Sequence, residues 1–496
     1  MSNTIIAADI GTSSLKAALV DDTGVVLATA RQGYGTRVSP QGWTEQDPAD
    51  WLRALIEALQ TLGQKLSLAN AKGLVFTGQM SAGLIVDRAF DPLRPCIIWS
   101  DQRAEKEAKS ASDTAGADRL YAVTGNPATA TYTAPKLAWL HRNEPHLMRQ
   151  AHAFIQPKDW IVAKLTGRLA TDLSDASCTG LIDLRKGGWA NDLLALYGID
   201  ERLAPEILSS TTIAGPLSQD MATLLGLSAG LPVVMGGGDG PATAAGAGAL
   251  LQGDAYAALG TSAWISFTSA DPVVDADRRL ATFAHIIPGL YVETGSMQAA
   301  GASIEWVARL LGKSPREIAD IALAEGQPEG REPCFLPYLQ GERTPYWTAL
   351  PAGTFFGLNR DHGPNDMANA VMEGVCFQMR LILDVFRSLG RTISPLTITG
   401  GFGQSGLFQQ RFADAVGQPT RTLLNAEHST AIGAAIAGFL GLGIIGSADD
   451  AKYWPKFQSE TRPGGNQGAI AARFNLFRDS WPPAEMLAKS INALEV

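Results

Sequence analysis

The sequence predicts an α/β fold in two similar lobes, and three observations carry that expectation. A short phrase is used twice: Ala7-Ala8-Asp9-Ile10-Gly11-Thr12-Ser13-Ser14 near the start, and Ala257-Ala258-Leu259-Gly260-Thr261-Ser262-Ala263 about halfway along. Each copy follows a β-prone run and ends in a Gly-Thr-Ser turn, and only the first contains an acid, Asp9. A second matching pair, Leu74-Val75-Phe76-Thr77 before Gly78-Gln79 and Leu396-Thr397-Ile398-Thr399 before Gly400-Gly401, occupies corresponding places in the two halves. Finally, 496 residues exceed what one compact core accommodates. Strand–turn–strand units that recur and are followed by helices are the pattern of an internally repeated α/β chain.

In chain order, Ile5 to Ala8 and Ala17 to Val20 read as strands flanking the first turn. Asp21-Asp22-Thr23-Gly24 is a hairpin signal before a third strand, Val25 to Ala28. Trp51, Leu52, Leu55, Ile56 and Leu59 have helical spacing after Pro48, with Asp47 as N-cap. Gly73 to Thr77 is a short buried strand broken at Gly78-Gln79-Met80. Helices decorate the first lobe between Trp139 and Ala229, with an Asp- and Ser-rich loop from Asp172 to Ser177. The junction is expected between Leu231 and Asp254, where Gly236-Gly237-Gly238-Asp239-Gly240 offers hinge-like glycines; the lobes are bounded as residues 1–243 and 244–496. The second half repeats the grammar with strands at Ala255 to Leu259, Trp264 to Phe267, Gly289 to Glu293 and Leu396 to Thr399. Ala431 to Ile445 reads as a buried helix and its turn, and Ala484 to Leu494 as a closing helix after peripheral loops that contain Pro482-Pro483.

Composition narrows the class. Hydrophobic residues at 46% and charged residues at 18% fit a globular enzyme rather than a disordered chain. A net charge of -9 without a basic run gives no support for nucleic-acid binding. The stretch Ala431 to Ile445 is shorter than a membrane span needs, so no membrane partner is expected. Met1-Ser2-Asn3-Thr4 leads directly into a strand without a leader pattern. The four cysteines and six histidines are scattered, with no zinc-like spacing. A cytoplasmic, reduced protein fits these features.

The chemistry-bearing residues lie in the turns. A Gly-Thr-Ser turn at a strand end offers a phosphate backbone N–H groups and two hydroxyls, with no bulky side chain in the way. Gly11, Thr12 and Ser13 in the first copy, and Gly260 and Thr261 in the second, are therefore candidates to hold a nucleoside triphosphate, with Asp9 serving Mg²⁺ through water. Taken alone, the first turn equally fits an Asx or Ser/Thr turn closing a hairpin; the second copy favours the phosphate. Asp239 between glycines suits a base that accepts the proton of an attacking hydroxyl, although the same run fits a hinge. Gly400, Gly401 and Gln404, at a strand end before a helix, offer close approach to an adenosine. Gln79, Met80 and Ser81, with Trp99 and Asp101, offer polar groups and one aromatic face to a polyhydroxylated ligand; Trp99 equally fits an ordinary core.

In this order the pieces resemble the FGGY family of carbohydrate kinases, within the sugar kinase, heat-shock chaperone and actin superfamily. The resemblance runs through Asp9 to Ser13, Trp43 to Pro48, Gly78 to Met80, Trp99 to Arg103, Thr133 to Lys136 and Pro157-Lys158-Asp159. It continues through Gly236 to Asp239, Leu259 to Ser262, Phe335 to Leu339, Gly341 to Pro345 and Gly400-Gly401. It implies two ribonuclease-H-like, actin/hexokinase-type lobes with a ligand cleft between them, and it is compatible with a homodimer. It also implies ATP and Mg²⁺ as cofactors, Asp239 as catalytic base, Asp9 supporting Mg–ATP, and Gln79, Met80, Trp99, Asp101 and Asp239 bordering the sugar. Within the family the chain is most similar to the xylulokinases, which makes D-xylulose the first expected substrate. Xylulokinases typically carry His where Ser81 stands and Asn where Gly240 stands. Both departures fall where the sugar binds, which keeps ribulose, erythritol and glycerol as alternatives. A non-kinase, actin-like ATPase would need the two phosphate turns but not Asp239.

Overall fold

The computed structural model describes residues 2–273, 275–324, 332–401 and 406–494. The chain divides into two compact units. The first comprises Met1–Gln252, Thr268–Glu293 and Glu427–Pro455; the second comprises Gly253–Phe267, Thr294–Ala426 and Lys456–Val496. The polypeptide thus leaves the first unit after the Gly236–Gly240 run and returns to it twice. No helix among the described residues is long and apolar enough to cross a membrane.

The first unit is built on strands β1 (Thr4–Ile10), β2 (Ser14–Asp21), β3 (Val26–Gly33), β4 (Ala71–Gly78), β5 (Ile213–Pro216) and β6 (Pro232–Gly238). They form one sheet in the order β5-β6-β4-β1-β2-β3. β1, β2 and β3 pair antiparallel, whereas β4 and β6 join them in parallel, which is the ribonuclease-H-like order. β1 is apolar from Ile5 to Ala8 and at Ile10, with Asp9 the exception, because both of its faces are covered, as central strands require. Ile6, Ala8 and Ile10 pack with Trp51, Leu55 and Leu59 of the helix Pro48–Lys65. Ile5 and Ala7 point the other way, into a cluster with Ala242, Ala245, Ile432 and Ile436. Each such Leu or Ile contributes about 1.5–3 kcal/mol through its removal from water. Asp47 caps the first helix as expected, its carboxylate accepting the Ala49 N–H at 3.0 Å.

Three expectations need correction. The Gly236–Gly240 run is no hinge: Gly236 to Gly238 end β6 inside the first unit, and a helix, Asp239–Gly246, starts at once. Gly236 adopts φ +64°, and a Cβ there would stand 1.7 Å from the Phe76 carbonyl oxygen, so this glycine serves a close strand contact. The Asp172 to Ser177 segment is no loop but a short helix, Leu173–Ala176, entering a 3-10 turn, with every residue but the half-buried Leu173 buried. The closing helix spans Trp481–Asn492, because prolines at its start lose only N–H groups that a first turn leaves unpaired.

The second unit uses β7 (Ala255–Leu259), β8 (Ala263–Ser269), β9 (Tyr291–Met297), β10 (Leu396–Thr399), β11 (Thr420–Leu423) and β12 (Phe457–Thr461). Their order is β9-β8-β7-β10-β11-β12. β7 and β8 pair antiparallel, β10 and β11 follow in parallel, and β12 closes antiparallel. The repeat seen in the two Gly-Thr-Ser phrases is therefore a repeat of topology.

Within the first unit, the helix Asp239–Gly246 lies against the helix Ser429–Gly441 through two glycines. A Cβ on Gly246 would stand 1.8 Å from the Ser429 carbonyl oxygen, and one on Gly433 would stand 1.8 Å from that of Ala242. We expect Gly433→Ala to destabilise the protein by about 3 kcal/mol, read as a lowered midpoint of urea unfolding.

Candidate active site

Parallel pairing brings three separate motifs of the first unit to one sheet end. Asp9 and Ile10 of β1 lie opposite Thr77 and Gly78 of β4, and these lie opposite Gly237 and Gly238 of β6. The turns that follow, Gly11 to Ser13, Gln79 to Ser81 and Asp239-Gly240, therefore leave from the carboxyl edge, where open α/β sheets bind ligands. The Gln79 N–H donates to the Ile10 carbonyl at 2.9 Å. The Met80 side chain fills the space beside Gly238, where a Cβ would meet its sulfur at 2.5 Å, and lies 3.7 Å from a Cβ position on Gly240.

Asp9 shares its face of β1 with Ile5 and Ala7 and stands opposite Lys16 in register, the ammonium 3.9 Å from Oδ2. Burial pushes the carboxyl up to about 6, and Lys16 opposes that rise. Its Oδ1 is buried and has no hydrogen-bond partner among the described residues. Asp239 is half-buried at the first position of its helix. Burial and then the neighbouring Asp9 charge push it up to about 7, against N–H groups of its own helix start. Two carboxylates whose charges are felt mutually mark a place where a cation or a proton is useful.

The first turn is held from outside by residues that sequence reasoning left without a role. Tyr34 donates its hydroxyl to the Gly11 carbonyl. The Gln46 amide donates to the Thr12 carbonyl at 2.6 Å, and its oxygen accepts from Trp51 at 3.1 Å and Gln79 at 2.8 Å. The Trp99 indole donates to the Thr12 hydroxyl at 2.9 Å; the ring is 40% exposed, so it is not core. The amide oxygen of Gln79 is buried and has no hydrogen-bond partner among the described residues. Gln46 stood in the run Trp43 to Pro48, where only its position relative to Thr12 could have revealed this work.

Ser81 and Asp101 are placed differently from the rest. Ser81 is buried with φ +65°, and its hydroxyl donates to the Cys178 carbonyl at 3.1 Å. Its own carbonyl accepts from the buried Lys136 ammonium at 2.6 Å, which burial lowers to about 7. Asp101 is fully buried; its oxygens accept from Thr44 N, Arg103 N and the Arg103 guanidinium. Burial opposes ionisation of Asp101, but these bonds hold it below the ordinary carboxylate range. The Arg103 guanidinium in turn lies 4.3 Å from the Trp43 ring. Asp101 thus shapes the turn that carries Trp99, and its lone pairs are already taken.

In the second unit the other Gly-Thr-Ser turn also joins two antiparallel strands but is one residue tighter: Gly11 N donates to Ser14 O at 3.2 Å, whereas Gly260 N donates to Ser262 O at 3.0 Å. The helix Gly301–Leu310 starts against this turn: Gly301 N donates to Gly260 O at 2.9 Å, and Ala302 N to Thr261 O at 3.0 Å. A groove of about 300 Å³ adjoins, lined by Ala302, Glu305, Trp306 and Arg309. Gly400 adopts φ +98°, and a Cβ would stand 2.2 Å from the Leu259 carbonyl oxygen, whereas Gly401 faces open space. Gln404 lies outside the described residues. Glu342, buried and pushed up to about 8, accepts the Gln298 N–H at 2.9 Å and so steadies the segment leading to that helix.

The residues fit a magnesium-bound nucleotide. Among the described residues no group of three His, Cys, Asp or Glu side chains is placed to hold a metal ion, so a cation here would draw most of its oxygens from phosphate and water. The orphaned Asp9 Oδ1 supplies the single carboxylate that such a hydrated ion takes.

Comparisons with known proteins identify the family. The model of the FGGY family of carbohydrate kinases, N-terminal domain, matches residues 4–246, and that of its C-terminal domain matches residues 255–442. A xylulose kinase of Escherichia coli (strain K12) is 34% identical over 431 residues, 87% of this chain and 88% of that protein. Among solved structures, a "xyloylose kinase" from Brucella ovis superposes with a TM-score of 0.93 at 30% identity, covering 98% of this chain and 100% of the other. A gluconate kinase from Lactobacillus acidophilus gives 0.92 at 26% identity, covering 100% of both. The chain belongs to the FGGY family of carbohydrate kinases.

Proposed function

We propose that this kinase transfers the γ-phosphoryl group of ATP to a hydroxyl of D-xylulose, giving D-xylulose 5-phosphate and ADP. The observation that carries the chemistry is Asp239, a carboxylate at a glycine-flanked helix start, on the sheet edge that also holds Gly11 to Ser13 and Gln79. The 34% identity to a xylulose kinase supports the choice of sugar.

In this reading Gln79, Met80, Trp99 and Gly240 border the sugar, and Ser81 and Asp101 act from behind it by fixing the turns. The sugar hydroxyl donates its hydrogen bond to Asp239. As its oxygen bonds to phosphorus and the bond to ADP breaks, the proton passes to the Asp239 carboxylate and then to water. Gly11, Thr12 and Ser13, with Gly260 and Thr261, face phosphate oxygens through backbone N–H groups and hydroxyls, and Gly400-Gly401 lies beside the adenosine. Mg²⁺, held by Asp9 through water, neutralises phosphate charge when bound. The gluconate kinase relative and the substitutions at Ser81 and Gly240 favour a second reading, in which another ketose, a polyol or a sugar acid replaces D-xylulose.

The deciding experiment measures ADP release with Mg–ATP over D-xylulose, D-ribulose, erythritol, glycerol and D-gluconate, with a sugar-free control. D-Xylulose is expected to dominate kcat/KM; dominance of another compound overturns the choice of sugar. Asp239→Asn is expected to lower kcat by about 10³-fold or more, and near-normal turnover would remove Asp239 as base. The same variant has a signature in stability. With the folded group near 7 and an ordinary value of 3.8, the unfolded chain releases this proton first, so stability falls as pH rises from about 4 to 7. Asp239→Asn is therefore expected to be more stable than the parent above pH 7 and equal to it below pH 4, read by urea unfolding of the metal-free protein. Asp9→Ala is expected to raise the Mg²⁺ concentration for half-maximal rate while leaving the sugar KM within about threefold.

A further inference from the structure

We infer that Ser174, set by Asp172 and Lys158, is the positioning residue for the base Asp239; this rests on the reading of Asp239 given above. Four observations lead there. The N–H of Gly238, the residue before Asp239, donates to Ser174 Oγ at 3.1 Å and so holds the Gly237–Gly238 peptide. That hydroxyl donates its single proton to Asp172 Oδ2 at 2.5 Å, so a lone pair is what remains for Gly238. Asp172 Oδ1 lies 2.8 Å from the Lys158 ammonium. Finally, a Cβ on Gly237 would stand 2.5 Å from Ser174 Oγ. Gly237, whose φ is not positive, is thus a glycine that gives this hydroxyl room.

All members of the chain are sealed from water. Lys158, Asp159, Asp172, Ser174 and Asp175 are each 0% exposed, and Lys158 pairs with all three carboxylates. Burial alone would lower the ammonium, but the three acids outweigh it. Burying three carboxylates against one ammonium is costly, and removing a partner from such a set costs more still. Packing alone does not call for it. What the set achieves is a fixed orientation of one hydroxyl, and through it of the Gly237–Gly238 peptide plane, at the last turn of β6 before the helix that Asp239 opens. The Asp239 carboxylate folds against N–H groups of its own helix start, so its placement depends on where Gly238, the residue before that helix, is held. Ser210 provides an internal comparison. It donates to the same Asp172 oxygen at 2.6 Å, yet its side chain makes no bond to the glycine turn.

The test compares Ser174→Ala and Ser210→Ala, with Asp239→Asn in parallel, by steady-state phosphoryl transfer on the best sugar and by urea unfolding. The expected result is a fall in kcat of about 10- to 100-fold in Ser174→Ala, with both KM values within about threefold, while Ser210→Ala loses similar stability and keeps kcat within about twofold. If Ser174→Ala does not fold, Ser174→Cys, close in size and a weak acceptor, is expected to give the same selective loss. A folded Ser174 variant with the kcat of the parent, beside an inactive Asp239→Asn, overturns the positioning role alone. Equal loss of kcat in both serine variants also overturns it. An active Asp239→Asn overturns the reading of the base on which it stands.

Discussion

The parallel register of β1, β4 and β6 is the constraint on which the first unit's chemistry depends. A strand pair slipped by one residue would turn Asp9 to the opposite face and separate the three turns. Two features prevent a slip. Each face of β1 carries its own apolar residues, matched to its own cluster, and the β6 backbone touches that of β4 where only hydrogen fits at Gly236. The glycines of this edge are thus spent on backbone proximity, and the side chains between them are free to carry function.

The two units share a strand order but divide the chemistry. Where β1 carries Asp9, the aligned position of β7 is Ala258, and each turn that follows is closed by a bond from its glycine N–H to a serine carbonyl, three residues on in the first and two in the second. A turn that binds phosphate needs N–H groups and hydroxyls from either copy. A carboxylate beside such a turn repels phosphate unless a cation stands between them. The second copy keeps the turn without the acid.

Much of this was legible in the sequence. The repeated phrase reports the duplicated topology, and Asp47-Pro48 with apolar spacing reports the first helix, because caps and periodicity are local signals. The positions of Asp9, Gln79, Trp99 and Asp239 follow from turns at strand ends. What could not be read is long-range. The Asp- and Ser-rich run from Asp172 looks like a solvated loop until Lys158 is seen to neutralise it. Asp101 looks like an available carboxylate until Arg103 closes on it. The glycines at 236 to 238 look like a hinge, because composition does not distinguish freedom to move from freedom to pack. Ser81 reads as a sugar contact, yet its partner, Cys178, lies almost a hundred residues away.

The glycine contact between the helices Asp239–Gly246 and Ser429–Gly441 also sets an order of events. The helix that covers the Ile5 and Ala7 face of β1 is made long after β1 itself leaves the ribosome. Until residues 427–455 emerge, that face is an uncovered apolar surface on a nascent chain, the kind of surface that aggregates or recruits chaperones. The site's first carboxylate is among the earliest residues synthesised, and its surroundings are among the last to be completed. The cluster on the Ile5 and Ala7 face is therefore completed only after residues 427–455 emerge, and much of the second unit's sequence is translated in the interval.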